Sequence, residues 1–280
     1  MKFQVKQYSV LVLVILVILM VFMITLFVPV PGRPRLFDAF TLLIVAGCFF
    51  LLVKQRQQIH KVDWAVSLAL GVIVAAGMLF SKYFSPYPFL GLIKSTPGQA
   101  VTRGMITTLS SLGGLVIMRQ GGPVQFHIAN TQVRKFVKGI LIGLAVGIPL
   151  AILNVFALRF TQNQPITWQN LPAAMLDALQ PAFVEEIVFR FALWGLLWLI
   201  LKNTLPKQSA WISGVLSMLV HNFAHFDDLF LQSPLTALGM GLVMALFWGI
   251  PPLLLAKRRG LESAVAFHWI QDAARFLTGF

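Results

Sequence analysis

The sequence predicts an all-α polytopic membrane protein with about eight or nine transmembrane helices. Of its 280 residues, 58% are hydrophobic and only 11% are charged. A soluble globular domain carries about 25% charged residues, so this chain cannot surround itself with a charged surface. The single cysteine, Cys48, permits no intramolecular disulfide, which excludes a secreted disulfide scaffold.

The net charge of +13 comes from 22 Lys and Arg residues against 9 Asp and Glu residues. A basic balance of this size is typical of nucleic-acid-binding proteins. Here the basic residues lie in short clusters between apolar segments, as topology signals do in membrane proteins. We therefore expect the lipid bilayer, and no nucleic acid, as a partner.

Nine apolar segments are candidate membrane spans. The first, Val10–Val30, is long enough as a helix to cross a hydrocarbon core of about 30 Å. It is longer than the apolar region of a signal peptide and no A-x-A cleavage site follows, so we interpret it as an uncleaved span. The others are Phe37–Val53, Trp64–Phe80, Gly104–Met118, Ile140–Leu158, Ala182–Leu201, Ala210–Ala224, Leu235–Ala256 and Leu261–Leu277.

The segment Gly104–Met118 decides between eight and nine crossings, because it is short and rich in Ser, Thr and Gly. If it spans, the basic residues divide 14 to 6 between the two sides. The 14 are Lys2, Lys6, Lys54, Arg56, Lys61, Arg119, Arg134, Lys135, Lys138, Lys202, Lys207, Lys257, Arg258 and Arg259. The six are Arg33, Arg35, Lys82, Lys94, Arg103 and Arg159. Without this span the loop residues again divide 14 to 6, but the N-terminus must then lie outside, because Lys2, Lys6, Lys54, Arg56 and Lys61 fall on the poorly charged side. The usual dominance of the first helix therefore favours nine crossings with a cytoplasmic N-terminus, with eight as the alternative.

Small and polar residues indicate how the chain is divided and where two of its segments pack. We divide the chain into N-terminal transmembrane helices and loops, residues 1–130, and a C-terminal membrane core, residues 131–280. Gly139, Gly143 and Gly147 form a small-residue stripe on one helix face, which lets two helix backbones approach closely in lipid. The short apolar run Leu171–Leu179 follows a polar stretch and predicts an interfacial or re-entrant element.

Two of the three glutamates in the chain are adjacent, Glu185 and Glu186, and both lie in an apolar segment. Ionisable groups within the hydrocarbon region are costly and usually functional. Successive helical residues are about 100° apart, so the two carboxylates cannot face the same point. Glu186 and Arg190 are neighbours at i and i+4, and we expect them to pair. Glu185 is then free to act on a water or a substrate.

Two more i, i+4 pairs occur late in the chain: His221 with His225, and His268 with Asp272. If their helices converge with the one that carries Glu185, they form a wet pocket lined by carboxylate and imidazole. A carboxylate can act as general base and acid, and an imidazole can help to activate water or stabilise an oxyanion. This combination predicts a hydrolase that attacks a carbonyl group without a serine or cysteine nucleophile.

These three motifs, in this order, resemble the CPBP family of CAAX prenyl proteases and bacteriocin-processing intramembrane proteases, also called the ABI family. The resemblance covers roughly Pro181 to Phe280. It implies a CAAX-protease-like helical core and an intramembrane endopeptidase that acts on membrane-associated peptides or proteins. It also implies that Glu185 and a histidine of the second motif activate water, while His268 and Asp272 bind the oxyanion. Glu186 and Arg190 are implied to be structural support.

The second motif leaves two candidates for the catalytic histidine. The family pattern is Phe-x-x-x-His, and here His225 matches the histidine while His221 occupies the phenylalanine position. We favour His225 and keep His221 as the alternative. At the last position the family often has Asn. An ionised Asp272 cannot donate a hydrogen bond, so it must be protonated or must orient His268 as the donor.

Two other functions remain open. In the first, the protease uses zinc instead of the glutamate-based mechanism, because two histidines at i and i+4, His221 and His225, can hold a metal with His268 or a carboxylate as third ligand. In the second, the protein is a non-enzymatic transporter, scaffold or bacteriocin-immunity protein. Our leading expectation is a peptidase without a cofactor in a cell membrane, with the bacterial inner membrane as the expected location.

Overall fold

The computed structural model describes residues 2–28, 34–85 and 87–280. In this part of the chain the backbone forms helices and turns without strands, apart from one isolated bridge between Phe89 and Ile93. The helices of the N-terminal half are α1 Lys2–Phe27, α2 Leu36–Lys54, α3 Lys61–Leu79, α4 Thr96–Arg119 and α5 Val133–Gln162. Those that follow are α6 Leu171–Asp177, α7 Leu179–Glu185, α8 Trp194–Leu201, α9 Ser209–Phe223, α10 Asp227–Gln232, α11 Pro234–Met244, α12 Ile250–Arg259 and α13 Leu261–Leu277.

Six helical segments of the described chain are long and apolar enough to cross a membrane. They are Tyr8–Phe27, Leu36–Lys54, Lys61–Leu79, Thr96–Arg119, Val133–Gln162 and Pro234–Arg259. The other three predicted spans are also helical. Two are shorter, with 15 residues in α9 and 17 in α13. The third, α7 to α8, carries three charged residues in its middle. The fold is therefore all-α, as the sequence predicts.

Two predicted boundaries require correction. The first span was expected to reach Val30, whereas α1 ends at Phe27, and Val30 itself lies outside the described residues. The short segment Gly104–Met118 is the larger part of α4, which begins eight residues earlier at Thr96. Ser95 caps α4 by accepting a hydrogen bond from the Gly98 N–H, and Pro97 lies in its first turn, where a proline needs no donor.

The predicted glycine stripe packs α5 against α13. A Cβ atom on Gly143 would lie 2.2 Å from the carbonyl oxygen of Ser263, and one on Gly139 would lie 2.8 Å from Glu262 Cγ. Gly147 faces Ile270 with a corresponding distance of 2.5 Å. The two helix backbones thus approach closely along about two turns, as small residues allow in membrane proteins. This packing fixes the position of α13, which carries His268 and Asp272.

Contacts between helix ends define two ends of the bundle. At one end, Arg119 at the end of α4 forms an ion pair with Asp63 near the start of α3, and Gln120 hydrogen-bonds Gln55 after α2. We call this the basic end, because most of the basic loop residues lie there in the predicted topology. At the opposite end, Arg35 before α2 binds Asp227 after α9 at 2.6 Å.

The same opposite end also joins α3 to α6. The backbone N–H of Lys82, after α3, donates to the Asp177 carboxylate at the end of α6, with a distance of 2.9 Å to Oδ2. Phe84 then packs against Phe276 near the end of α13, with ring centroids 5.7 Å apart. We call this the cavity end, because the cavity described below reaches it.

Candidate active site

The two adjacent glutamates lie where the helix Leu179–Leu201 changes from α-helical to π-helical winding. Residues Glu186–Leu193 form the π-helical segment between α7 and α8. Such segments are rare and occur frequently at functional sites. Glu186 is fully buried and forms the expected ion pair with Arg190, with 2.5 Å between Glu186 Oε1 and the guanidinium NH1.

Glu185 faces a different direction and meets three imidazole rings. Its Oε2 atom lies 2.9 Å from His221 Nε2, 3.6 Å from His225 Nε2 and 3.6 Å from His268 Nε2. His221 comes from the last turn of α9, His225 from the turn that follows it, and His268 from α13. Three separate parts of the chain therefore converge on one carboxylate oxygen.

The contacts of His221 determine its tautomer. Its Nδ1 atom lies 3.2 Å from NH1 of Arg190. A guanidinium only donates hydrogen bonds, so Nδ1 must accept and the proton must be on Nε2. The Nε2–H group then donates to Glu185. His221 also stacks on the Phe189 ring, with centroids 4.7 Å apart and an interplanar angle of 14°. It is buried and held on both nitrogens.

His225 differs from His221 in its accessibility. Its side chain is 36% exposed, whereas His221 as a whole residue is 4% exposed. Its Nε2 atom is 3.4 Å from His221 Nε2 and 3.6 Å from the Glu185 oxygen. His225 and Glu185 both line the cavity described below, so a water in the cavity can reach both groups. Both histidines that the sequence proposed lie at the site, in different environments.

His268 is surrounded by carboxylates. Its Nδ1 atom lies 2.8 Å from Glu186 Oε1, and its Nε2 atom lies 3.3 Å from Asp272 Oδ2 as well as 3.6 Å from Glu185. Carboxylates accept hydrogen bonds, so this environment favours a ring with protons on both nitrogens. Asp272 is buried and has Arg275 as a second cationic neighbour, 3.7 Å away. At this distance Asp272 Oδ2 can accept a hydrogen bond from His268 Nε2 and so orient the ring.

A cavity of about 490 Å³ opens in front of these groups. Its volume lies within the range of small-molecule pockets in proteins. Glu185, His225, His268 and Asp272 line one part of it. The rest of the wall is largely apolar, with contributions that include Phe37, Phe84, Leu158, Val184, Pro181, Met240, Met244 and Phe267.

The cavity wall also contains residues that the sequence analysis missed, on the N-terminal helices. Asp38 near the start of α2 and Arg103 in α4 form a buried ion pair with 3.2 Å between Arg103 NH2 and Asp38 Oδ1. The prediction that Arg103 lies in a loop on the poorly charged side is wrong, because α4 begins at Thr96 and includes it. From hydropathy, Asp38 and Arg103 are only two separate charges near two apolar segments. Nothing in the hydropathy pattern indicates that these two side chains pair.

Arg35 is a further basic residue of the wall, at the cavity end of the bundle. Burial lowers the pKa of Arg35, but the charge and hydrogen bond of Asp227 outweigh this effect and the pKa is raised overall. Its guanidinium also lies 4.0 Å from the centroid of the Tyr87 ring. Arg35 is therefore a cation whose charge is already matched by Asp227.

The donor set fits zinc poorly, although the geometry brings three donors together. Donor atoms of Glu185, His221 and His225 all lie within 4.8 Å of one another. A metal-bound histidine normally donates its second ring N–H to an acceptor. The second nitrogen of His221 instead faces the Arg190 guanidinium, which only donates. A cation 3.2 Å from a ligand ring also opposes the binding of a second cation.

Comparison with known protein families gives a match over the C-terminal part of the chain. The family model described as "Type II CAAX prenyl endopeptidase Rce1-like" matches residues 167–274, which include α6 to α12 and most of α13. No curated protein and no solved structure matches the chain. The matched region contains Glu185, His221, His225, His268 and Asp272, and it begins well after the helices that carry Asp38 and Arg103.

Proposed function

Because the chain belongs, through residues 167–274, to the CAAX protease family of multi-pass membrane endopeptidases, we propose that it hydrolyses peptide bonds with a water activated by Glu185 and His225. The observation that carries this mechanism is the convergence of three imidazoles on one oxygen of Glu185. The substrates are membrane-associated peptides or proteins whose scissile bond enters the cavity.

In the first step, a water held between Glu185 and His225 attacks the carbonyl carbon of the scissile bond. Glu185 takes a proton from this water as the new C–O bond forms, which is general base catalysis. His221 donates its Nε2–H to the same carboxylate and so keeps Glu185 directed at the water. The result is a tetrahedral intermediate with negative charge on the former carbonyl oxygen.

The second step breaks the C–N bond. His268, protonated among its carboxylate neighbours, donates Nε2–H to the oxyanion and stabilises its charge. Glu186 holds the ring through Nδ1. The one Nε2–H is shared between the oxyanion and Asp272 Oδ2, which lies 3.3 Å from Nε2. Glu185 then transfers its proton to the leaving amine nitrogen as the carbonyl re-forms. The products are a new carboxyl terminus and a new amino terminus, and no cofactor is consumed.

We further propose that the N-terminus is cytoplasmic and that the cavity opens at the non-cytoplasmic side. The cavity wall includes Arg35, Phe84 and Phe226, which all lie at the cavity end of the bundle. The loops at the basic end carry most of the Lys and Arg residues, and such loops are normally cytoplasmic. Peptides on the outer side of a bacterial inner membrane are then the accessible substrates.

Purified protein reconstituted in liposomes tests the proposed function. It is incubated with a set of membrane-associated peptides in ¹⁸O-labelled water, and the products are identified by mass spectrometry. We expect cleavage in the presence of a chelator, with one ¹⁸O atom in the new carboxyl group. Absence of cleavage for every peptide would contradict the protease assignment. Activity that requires stoichiometric zinc would instead support the metalloprotease alternative.

A further inference from the structure

Trp248 lies in the wall of the cavity and contacts Arg190, the arginine that binds both Glu186 and His221. The backbone carbonyl oxygen of Trp248 accepts a hydrogen bond from Arg190 NH2 at 3.4 Å. NH1 of the same guanidinium donates to Glu186 and lies against His221 Nδ1. In the described chain, NH2 has no hydrogen-bond partner other than this carbonyl. A backbone group from outside the three motifs thus completes the acceptors around Arg190.

The sequence explains why this carbonyl is available to a side chain. Trp248 lies in the π-helical segment Ala245–Gly249, which joins α11 to α12. In an α-helix, a carbonyl accepts a hydrogen bond from the N–H four residues later. For Trp248 that residue is Pro252, which has no N–H and whose ring crowds the carbonyl four residues before it. The Trp248 carbonyl therefore lacks its usual helical donor.

The side chain of Trp248 is fixed by a second set of contacts. Its indole Nε1–H donates to Gln271 Oε1 at 3.1 Å, and Gln271 Nε2 donates to the Gly147 carbonyl at 2.8 Å. Gln271 is buried in α13 and so ties the π-helical segment to α13 and α5. On another side the segment lies against α9, where a Cβ atom on Gly249 would be 2.6 Å from Asn222 Nδ2. The segment that carries the Trp248 carbonyl is therefore held between these helices.

We propose that Pro252 and Gln271 are positioning residues for the catalytic glutamate. Pro252 leaves the Trp248 carbonyl without a helical donor, and Gln271 fixes the same residue through its indole. The carbonyl then holds NH2 of Arg190, which presents NH1 to His221 Nδ1. With Nδ1 as acceptor, His221 keeps its proton on Nε2 and donates it to the glutamate. This inference rests on the proposed peptidase function and adds residues that control its geometry.

The first test is Pro252→Ala, which restores the missing N–H and removes the ring. The helix then competes with Arg190 for the Trp248 carbonyl. In the liposome cleavage assay we expect kcat to fall about tenfold with KM unchanged, because a hydrogen bond to a charged group is weakened. We expect the unfolding temperature to stay close to that of the wild type. The higher helix propensity of alanine offsets the packing lost with the proline ring.

Pro251→Ala is the matched control. It also restores an N–H in the first turn of α12, but this donor reaches the carbonyl of Phe247 instead of that of Trp248. Pro251 lies outside the residues that form the cavity wall, so we expect wild-type kcat and KM. An equal fall in kcat for the two variants would contradict the proposal, because altered helix winding would then be the cause. A rise in KM alone for Pro252→Ala would contradict it as well, because Pro252 would then be a substrate contact.

A double-mutant cycle tests the role of Gln271. Gln271→Met and Trp248→Phe each remove one partner of the hydrogen bond that fixes the indole. We expect each variant to lower kcat about threefold to tenfold, and the double variant to be no slower than the slower single variant. Additive effects would show that the two side chains act separately and would overturn the role of Gln271. Wild-type kcat for Gln271→Met would overturn it too.

The tautomer of His221 provides a readout that does not depend on catalysis. Protein labelled with ¹⁵N in its imidazole rings is compared by NMR as wild type and as Pro252→Ala, with His221→Phe to assign the signals. We expect the wild-type ring to carry its proton on Nε2, and the Pro252→Ala ring to show a mixture of both tautomers. Identical His221 signals in the two proteins would contradict the proposal. A wild-type protein that cleaves no peptide would instead contradict the proposed function, whatever the NMR result.

Discussion

At the scale of single residues, His221 and His225 differ in what occupies their ring nitrogens. His221 is bound by Arg190 on one side and by Glu185 on the other, and it stacks on Phe189. His225 is accessible from the cavity, and its Nε2 atom lies 3.6 Å from the Glu185 carboxylate. These contacts favour His225 as the water-contacting residue and His221 as a positioning residue.

Replacing each histidine with phenylalanine tests this division. Phenylalanine is the residue that the family pattern has at position 221, and it can keep the stacking on Phe189. We expect His221→Phe to lower kcat roughly tenfold through the lost hydrogen bond to Glu185. We expect His225→Phe to lower kcat by about 10²- to 10⁴-fold, as loss of acid–base assistance does. The reverse order of the two effects in a cleavage assay would assign the catalytic role to His221.

The spacing of residues in the sequence predicts which residues meet at the site, but it does not predict which other side chains each of them contacts. The i, i+4 spacings place Glu186 beside Arg190 and His268 beside Asp272 because helix geometry fixes those distances. The pairing of Nδ1 of His268 with Glu186, by contrast, joins residues 82 positions apart. Such a contact depends on how α13 packs, which no local pattern encodes. Arg103 escapes detection for a different reason: the apolar run begins only at Gly104, whereas α4 begins at Thr96.

At the scale of helices, the contact of α5 with α13 determines where His268 and Asp272 lie. Gly143 is the tightest point of this contact. We expect Gly143→Ala to destabilise the protein by about 1–3 kcal/mol, because the new methyl group overlaps the Ser263 carbonyl and the helices must separate. The measurement is the thermal unfolding of purified protein in detergent, together with cleavage activity.

Gly239 in α11 is the matched control for this substitution. A Cβ atom there would have no neighbour within 4 Å. Gly239→Ala should leave stability unchanged or raise it by up to about 1 kcal/mol, since Ala favours helix more than Gly does. Equal destabilisation by the two substitutions would show that close packing at Gly143 is not the cause.

Apolar runs in the sequence predict where the helices lie, but they predict the first and last residues of each helix less accurately. The segment Gly104–Met118 was the weakest prediction, because its Ser, Thr and Gly residues lower its hydropathy. The structure explains this composition, since 72% of the most apolar window of α4 is buried inside the bundle rather than facing lipid. Ser67 of α3 donates a hydrogen bond to Ser111 in α4 at 3.0 Å. A helix in the centre of the bundle can carry polar side chains where neighbouring helices provide hydrogen-bond partners for them.

At the scale of the whole molecule, the charge distribution predicts which side of the membrane the cavity faces. Single cysteines introduced into a Cys48→Ala background test the topology with a membrane-impermeant thiol reagent on intact cells. We expect labelling of Lys94→Cys, at the cavity end, without permeabilisation. Gln58→Cys, at the basic end, should be labelled only after permeabilisation. The opposite pattern would place the cavity at the cytoplasmic side and reverse the positive-inside assignment.

The central claim is that the Glu185 carboxylate activates the water that cleaves the substrate. The most direct measurement compares the cleavage rates of the wild-type protein, Glu185→Gln and Glu262→Gln in liposomes. Glu262 is the control because it binds His127 at the basic end, away from the cavity. We expect Glu185→Gln to reduce the rate by about 10²- to 10⁴-fold, and Glu262→Gln to retain most of it. A folded Glu185→Gln protein that cleaves at the wild-type rate would contradict the mechanism.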